Sequence, residues 1–580
     1  MKFTWKIGGE AGFGIMTTGL VFSKIASRLG YHIFDYIQYP SLIRGGHNAF
    51  ELVISDSPVT SLKQEIDCLV CLNKETFDLH KQRVKKDGLV IYDQEEFEMS
   101  GDFTKIAVPF SKIVNQLKGQ LVMKNTIALG ASMAVLGGEI EELLKILKEQ
   151  FIKKGEQVVE FNKKFAKEGF DYVQKNYRRK IQAILIKKQS EPKLVLTGND
   201  AFSLGAVAAD CRVYSAYPMT PSSSVLGTLA GWQEKTGMVV RHAEDEIAVI
   251  NTAIGSSFAG VRSAVGTSGG GFALMVESVS LAGITETPLV IFLAQRPGPA
   301  TGMPTWTEQG DLLFAVFAGH GEFPKIVLAP GDPKEMIELT MAAFNLADIY
   351  QTPVIILSDM FLSESHQSLS KNWLEDFIKK YRIDRGKLID NSKIKEKRAK
   401  TEAKTQSFLR YQITTDGVSP RLIPGTAGYF YQANSYEHLD DGHTSEKAEE
   451  RKKQVEKRNR KQQTFLQSHF RPPKVYGDLE ASETVFVCWG STKGVLLAAQ
   501  KIISEQNKKT AVIHFNYVYP LDAEKIKPLF EKKTRYILVE NNSLAQFGQL
   551  LRQQTGIELK EKILRYDGRP FWPEEIVNRI

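Results

Sequence analysis

Residues 215–224 read SAYPMTPSSS. The stretch follows a short apolar run and ends where a helical pattern begins. Proline fixes φ and biases the residue before it to extended geometry, so Pro218 and Pro221 hold the stretch in one shape. Thr220 and Ser222 to Ser224 add hydroxyls and free amides at the start of the next helix, a setting that suits a carboxylate or a phosphate. The same residues also read as a plain helix cap, since Ser and Thr favour that position. The surrounding sequence decides between these readings, and it decides the fold as well.

From LVLTGNDAFSLGAVAA near residue 190, strand and helix patterns alternate. CRVYSAYP, MVVRHA, VRSAVGTS, PLVIFLAQ, FPKIVLAP and PVIILSD read as strands; EIAVINTAIGSSFAG and FALMVESVSLAGIT read as helices. β-branched strands alternating with helices predict a doubly wound parallel sheet. Ligands of such sheets bind at the carboxyl ends of the strands. SAYPMTPSSS, HAEDE, GTSGGG and AQRPGPATG all fall at those ends, so four loops converge on one rim.

The flanking segments are also α/β. FTWKI, GGEAGFGIMTTG and LVFSKIASRLG read as strand, glycine-rich turn and helix, with Gly8, Gly9, Gly12, Gly14 and Gly19 in the turn region. Gly9, Gly12 and Gly14 are candidates for a nucleotide or coenzyme A loop that cradles a phosphate. The match to G-x-G-x-x-G is loose, and a tight turn without a nucleotide fits the same residues. A second cluster, Arg44, Gly45, Gly46 and His47, precedes another strand, where His47 reads as structural. Two charged stretches, SKIKEKRAKTEAK and SEKAEERKKQVEKRNRKQQ, have helical spacing and alternating charge, which predicts solvated helices with i, i+4 ion pairs. Between them TTDGVSPRLIPGTAG is a Gly/Pro-rich, lid-like loop. The organisation is a Rossmann-like segment (1–187), the doubly wound segment (190–365), a charged connecting region (366–475) and a short α/β domain (476–580).

Composition narrows the function. The chain has 580 residues, long enough for several domains. Its net charge of +8 arises from 75 basic against 67 acidic residues, a mixed surface and not a nucleic-acid arm. Cys68 and Cys71 form a CxxC, but on a strand the pair points to opposite faces and reads as core. Four cysteines in all exclude an iron–sulfur cluster held by this chain, which needs four grouped thiolates. The N-terminus lacks a signal-peptide core and no run is long and apolar enough for a membrane helix, so a soluble, cytoplasmic protein is expected.

YPMTPSSS, HAEDEIAVINTAIGSSFAG, TSGGGFALMVES, ETPLV and AQRPGPATGMPTWTEQGDL, in that order, resemble the α subunit of 2-oxoacid:ferredoxin oxidoreductases. The family usually has Ile at Met219, and Arg-Gly-Gly-Pro where this chain has Arg296-Pro297-Gly298-Pro299. Residues 1 to 185 resemble the family's γ domain, fused ahead of α. TTDGVSPRLIPG, SYEHLDDGHTSE and RYDGRPFWPEEI resemble later α segments, so the resemblance covers the whole chain. It implies a γ domain, a thiamine-pyrimidine-binding domain and a transketolase C-terminal-like domain.

The resemblance also implies thiamine diphosphate chemistry. A carboxyl group must meet the aminopyrimidine ring, and Glu246, nine residues before Gly255, has the spacing; Glu244 stays open as the alternative. Tyr217, Pro218, Ser268, Gly269 and Gly270 are implied cofactor neighbours. Arg296 would bind the 2-oxoacid carboxylate bidentately, with Thr220 and Ser222 as further donors. No GDG followed by Asn supplies a diphosphate and Mg²⁺ site, so the resemblance assigns no metal to this chain. It assigns the Mg²⁺ and a [4Fe–4S] cluster to a β subunit in an α₂β₂ enzyme. Coenzyme A and ferredoxin are its co-substrate and electron acceptor, and neither nucleic acid nor membrane is a partner. The layout and EHLDDGHTSE favour 2-oxoglutarate without deciding against pyruvate or branched acids. Two other readings are a transketolase-type enzyme without electron transfer and a non-catalytic assembly subunit that binds a nucleotide through the N-terminal glycines.

Overall fold

A computed structural model describes residues 1–41, 45–389 and 406–580. Arg44 and the charged stretch 392–404 lie outside the described residues. The chain forms two compact units: Met1–Thr197 with Glu364–Lys379 and Trp572–Ile580, and Gly198–Ser363 with Lys380–Phe571.

The first unit is built on an eight-stranded mixed sheet. Lys2–Glu10 lies near its centre, parallel to Ile66–Cys71 and antiparallel to His47–Ser55. The helix Ile15–Arg28 covers the sheet closely because Gly19 has no side chain; a Cβ there would run into the Phe50 ring. Trp5, Phe22 and Phe50 pack in the core beneath it. Cys68 and Cys71 are fully buried and belong to two separate core clusters, so the pair does face opposite sides of the strand. Burial pushes both thiols up, which makes them inert. Gly9 lies inside the first strand, against Leu72, and not in the turn. Gly12 and Gly14 do form the turn, both with positive φ.

Contrary to expectation, the strand read as opening the doubly wound sheet, Lys193–Leu196, pairs antiparallel with Gln367–Ser370 at the edge of this first sheet. All four of its residues are only half-buried, which suits an edge and not the centre of a parallel sheet. The alternation of the second unit therefore begins with the helix Gly198–Ala208 and the strand Cys211–Ala216.

The second unit holds a seven-stranded sheet. Six strands run parallel: Ile326–Leu328, Pro353–Asp359, Leu289–Gln295, Arg262–Thr267, Cys211–Ala216 and Val239–His242, in that spatial order. Strand Leu289–Gln295 is buried at all seven positions, as its run of apolar residues demands. A five-stranded sheet, Lys474–Tyr476, Thr510–Phe515, Thr484–Trp489, Arg535–Glu540 and Glu561–Leu564, forms the C-terminal part. Its chain lends Tyr517–Tyr519 to the edge of the larger sheet, antiparallel to Ile326–Leu328.

Contrary to the expectation of a solvated helix, the charged helix Ala448–Ser468 is not solvated on all sides. Gln454, Lys457, Arg458, Lys461 and Phe465 are buried, a stripe at helical spacing made mostly of cations. Lys457 and Lys461 both pair with Glu286, which is itself fully buried. Alternating charge concealed this stripe because its acid partner lies far away in the sequence. Among the described residues no helix is long and apolar enough to cross a membrane.

Candidate active site

The four loops meet at the carboxyl ends of neighbouring strands of the second unit. The loop after Cys211–Ala216 is tied from below. Asn199 Nδ2 donates to the Pro221 carbonyl and to Ser224 Oγ, both at 2.7 Å. Ser222 makes no side-chain cap to the helix Ser223–Ala230. Its hydroxyl donates back to the Met219 carbonyl at 2.8 Å, so the serine closes the turn and the capping reading fails. Tyr217 is exposed and leans on His242, and Pro218 is exposed beside it.

Met219 points into the rim. Its sulfur meets the Gly271 amide at 3.3 Å and Thr267 Oγ1 at 4.0 Å. The next carbonyl, that of Thr220, accepts a hydrogen bond from Arg296 Nη1 at 2.7 Å. Arg296 thus reaches from the end of Leu289–Gln295 across the intervening strand Arg262–Thr267 to the SAYPMTPSSS loop. It is half-buried, and burial lowers its pKa, with Asp311 opposing.

Glu246 and Glu244 differ sharply. Asp245 is the N-cap of the helix Glu246–Phe258 and accepts from the Ala248 amide at 2.7 Å. Glu244 precedes the cap and is exposed. Glu246 is only 4% exposed, and its Oε1 has no hydrogen-bond partner among the described residues. It lies where Gly271 has no side chain: a Cβ there would come within 2.5 Å of Oε1 and would also strike Thr267. Gly271→Ala is therefore expected to displace the Glu246 carboxyl group and lower kcat by about 100-fold, since misplacement on the ångström scale has that effect. A steady-state assay of the variant in its complete assembly checks this, with circular dichroism to confirm an unchanged fold.

Ser268 is the extended N-cap of the helix Gly269–Ile284, and its hydroxyl is buried with no partner among the described residues. Nothing lies within 4 Å of the position a Cβ would take on Gly270, so the backbone there is open to an approaching group. Beside Gly269 stands Asp311, whose carboxyl oxygens would be 2.6 and 2.9 Å from a Cβ on that glycine.

The sequence reading missed Asp311 and its neighbour Glu308. Burial pushes the Asp311 carboxyl up to about 6, against the pull of Arg296. Burial and then Asp311 push Glu308 up to about 7. The polar run EQGD between an apolar strand and the apolar helix Leu312–Phe317 was the available signal. Gln309 explains how the loop is held. It is fully buried; its amide donates to the Asn541 carbonyl at 2.7 Å and its Nε2 to the Trp489 carbonyl at 3.0 Å. Its own Oε1 accepts from the Asn541 amide at 2.9 Å. The strand ends of the C-terminal sheet thus fix the loop that carries Arg296 and Asp311.

The N-terminal glycines form a different setting within the first unit. Gly14 lines a cavity of about 290 Å³ with Thr17, Thr18, Asn125, Thr126 and Asn162. Asn125 Nδ2 donates to the Phe13 carbonyl at 2.7 Å, which fixes the turn over that cavity.

This geometry can be set beside known proteins. Residues 204–457 match the family model for pyruvate flavodoxin/ferredoxin oxidoreductase, thiamine diphosphate-binding; residues 4–172 match pyruvate ferredoxin/flavodoxin oxidoreductase; residues 474–566 match the transketolase C-terminal domain. A 2-oxoacid:ferredoxin oxidoreductase subunit alpha from Sulfolobus sp is 33% identical over 99% of this chain and 96% of that one. The chain belongs to the 2-oxoacid:ferredoxin oxidoreductase α-subunit family. As an α subunit it is one part of a multi-subunit oxidoreductase, with the thiamine-binding module in the second unit. A solved 2-oxoglutarate:ferredoxin oxidoreductase from Magnetococcus marinus, with 2-oxoglutarate, coenzyme A and succinyl-CoA bound, superposes with a TM-score of 0.90 at 29% identity, covering 100% of this chain and 98% of that chain. A 2-oxoglutarate synthase subunit from Methanothermobacter thermautotrophicus is 29% identical and covers 66% of this α subunit and 97% of itself. The residues fit the aminopyrimidine end of thiamine diphosphate. A buried carboxyl oxygen without a partner faces a glycine, on the rim where the thiamine-binding model matches.

Proposed function

We propose that this α subunit holds the aminopyrimidine and 2-oxoacid half of an active site for oxidative decarboxylation of 2-oxoglutarate with coenzyme A, yielding succinyl-CoA, CO₂ and reduced ferredoxin. A β subunit supplies the diphosphate site, Mg²⁺ and a [4Fe–4S] cluster, in an α₂β₂ assembly. The observation that carries this reading is the orphaned Oε1 of Glu246, buried at the carboxyl end of a thiamine-binding sheet. An unpaired buried carboxyl oxygen is costly unless a ligand completes it.

Bound thiamine diphosphate supplies the electron sink on which a 2-oxoacid loses CO₂. Glu246 holds and moves the proton at the ring nitrogen it meets, a task for a desolvated carboxyl group. Arg296, anchored through Nη1 on the Thr220 carbonyl, turns its remaining N–H groups to the substrate carboxylate. Thr220 and Ser222 keep that anchor rigid, and Tyr217, Pro218 and the Ser268–Gly270 backbone border the cofactor. The 2-oxoglutarate assignment is supported by the bound ligands of the Magnetococcus marinus relative and by the named 2-oxoglutarate synthase relative. Coenzyme A belongs with the glycine turn at Gly12 and Gly14, where the helix Ile15–Arg28 presents its N-terminus.

Isolation of the tagged chain with its partner tests this. The complex should contain iron and thiamine diphosphate and reduce ferredoxin only with a 2-oxoacid and coenzyme A, 2-oxoglutarate giving the highest kcat/KM. A preparation without thiamine dependence sinks the reading. In the active complex Arg296→Lys should raise the KM for the 2-oxoacid by about 30-fold with a smaller effect on kcat, because a point charge cannot reproduce the planar fork.

A further inference from the structure

Asp311 is held in place from three sides. Gln295 ends the strand Leu289–Gln295; its Oε1 accepts the Asp311 amide at 2.9 Å while its Nε2 donates to the Ser358 carbonyl at 3.0 Å. Gln309 pins the loop two residues earlier, as described. On the far side Gln546 Nε2 donates to the Gly310 carbonyl at 2.6 Å and its Oε1 accepts the Leu313 amide at 3.0 Å. With the backbone locked, the carboxyl group sits over Gly269, where a Cβ would come within 2.6 Å of it. Its Oδ2 is buried without a partner among the described residues. Three neighbouring loops thus each present a buried polar oxygen without a partner: Glu246 Oε1, Ser268 Oγ and Asp311 Oδ2. Glu246 is assigned to the cofactor; Asp311 lies on the Arg296 side and needs a different partner.

We propose that Asp311 is a specificity-determining residue of the 2-oxoacid site, whose neutral carboxyl group donates a hydrogen bond to the substrate carboxylate held by Arg296 and whose ionised form excludes that carboxylate. This rests on the function proposed above. Among the described residues Arg296 is the charge that acts on Asp311, and Asp311 in turn raises Glu308; the first turn of Gly269–Ile284 carries no acid, and Gln295 and Gln546 are neutral. Ionised Asp311 competes with an anionic substrate for the single positive charge of Arg296. Protonated Asp311 leaves that charge free and gives its orphaned oxygen an acceptor. Burial already holds the carboxyl at about 6 before substrate arrives, and a second carboxylate beside it raises it further. Substrate binding therefore takes up a proton once the pH exceeds the unliganded value.

The test uses the complete enzyme, with the KM for 2-oxoglutarate and kcat measured separately from about pH 5.5 to 8.5; by proton linkage the wild-type KM should climb above about pH 6 with a slope of up to about tenfold per unit, then level off. In Asp311→Asn, which keeps the shape and a donor but cannot ionise, the KM should lose its pH dependence and stay flat at the low-pH wild-type value. A wild-type KM that is independent of pH overturns the proposal without any variant. So does an Asp311→Asn enzyme whose KM follows the wild-type curve. Asp311→Ser, smaller and also unable to ionise, should give the same flat profile at a higher KM. An enzyme that turns over no 2-oxoacid at any pH overturns the underlying function instead, and that outcome is distinct from both.

Discussion

Glu246→Gln is expected to lower kcat of the assembled enzyme by about 10³-fold, the range lost when a positioned acid–base group is removed. That corresponds to about 4 kcal/mol of transition-state stabilisation. The substitution preserves volume and keeps a polar tip, but an amide cannot take up or release the proton. The fold should not suffer. Oε1 has no partner to lose among the described residues, so the thermal midpoint should match or exceed that of the parent. Glu244→Gln is the matched control. Its side chain is exposed and lies before the Asp245 cap, so activity should stay within about twofold, as for surface changes away from a site. Equal losses in both variants, or an Glu246→Gln enzyme with more than about a tenth of wild-type kcat, would remove Glu246 from the acid–base role.

The outline of this site was legible because each of its parts is local. A strand, a proline-stiffened turn and a helix start announce themselves within ten residues at SAYPMTPSSS, and the order of four such turns along a βα alternation puts them on one rim. The places of Glu246 and Arg296 on that rim are legible for the same reason, each being a charge at the end of an apolar strand or the start of a small-residue helix. What stayed hidden depends on distant partners. Nothing near Gln309 foretells that it binds strand ends 180 and 232 residues later, at Trp489 and Asn541. Asp311 reads as an ordinary surface acid until the glycine beneath it and the glutamines around it are seen. Ser222 has the chemistry of a cap and the geometry of a turn lock, a choice that only the backbone at Met219 makes. The charged helix was misread for a similar reason: charge periodicity reports what lies on a helix face but not what that face meets.

That helix carries the second large expected effect. Glu286→Gln should destabilise the second unit by about 3–5 kcal/mol, the range for removing one member of a buried ion pair. Glu286, Lys457 and Lys461 are all essentially inaccessible to water. Burial pushes the Glu286 carboxyl up, but Lys457, Lys461 and Arg410 together pull it below its usual range. In the reverse sense burial lowers Lys461 to about 8. Removing the carboxylate leaves two ammonium groups in a dry interior, with Arg410, whose Nη2 donates to the Glu286 carbonyl at 2.7 Å, beside them. Glu286 stands two residues beyond the helix Gly269–Ile284, whose opposite end forms the floor of the active site. The three cations therefore also complement the carbonyl end of that helix. Loss of the cluster should loosen the helix from the end remote from catalysis, so KM and kcat at low temperature should change less than the denaturation midpoint. A quadruple replacement, Glu286→Leu with Lys457→Met, Lys461→Met and Arg410→Met, removes the charges together and should recover most of the lost stability, because apolar groups of similar volume often replace a buried ion cluster without penalty. If Glu286→Gln unfolds at the wild-type denaturant concentration, the buried pairs contribute nothing, and apolar contacts such as that of Phe465 must hold the helix instead.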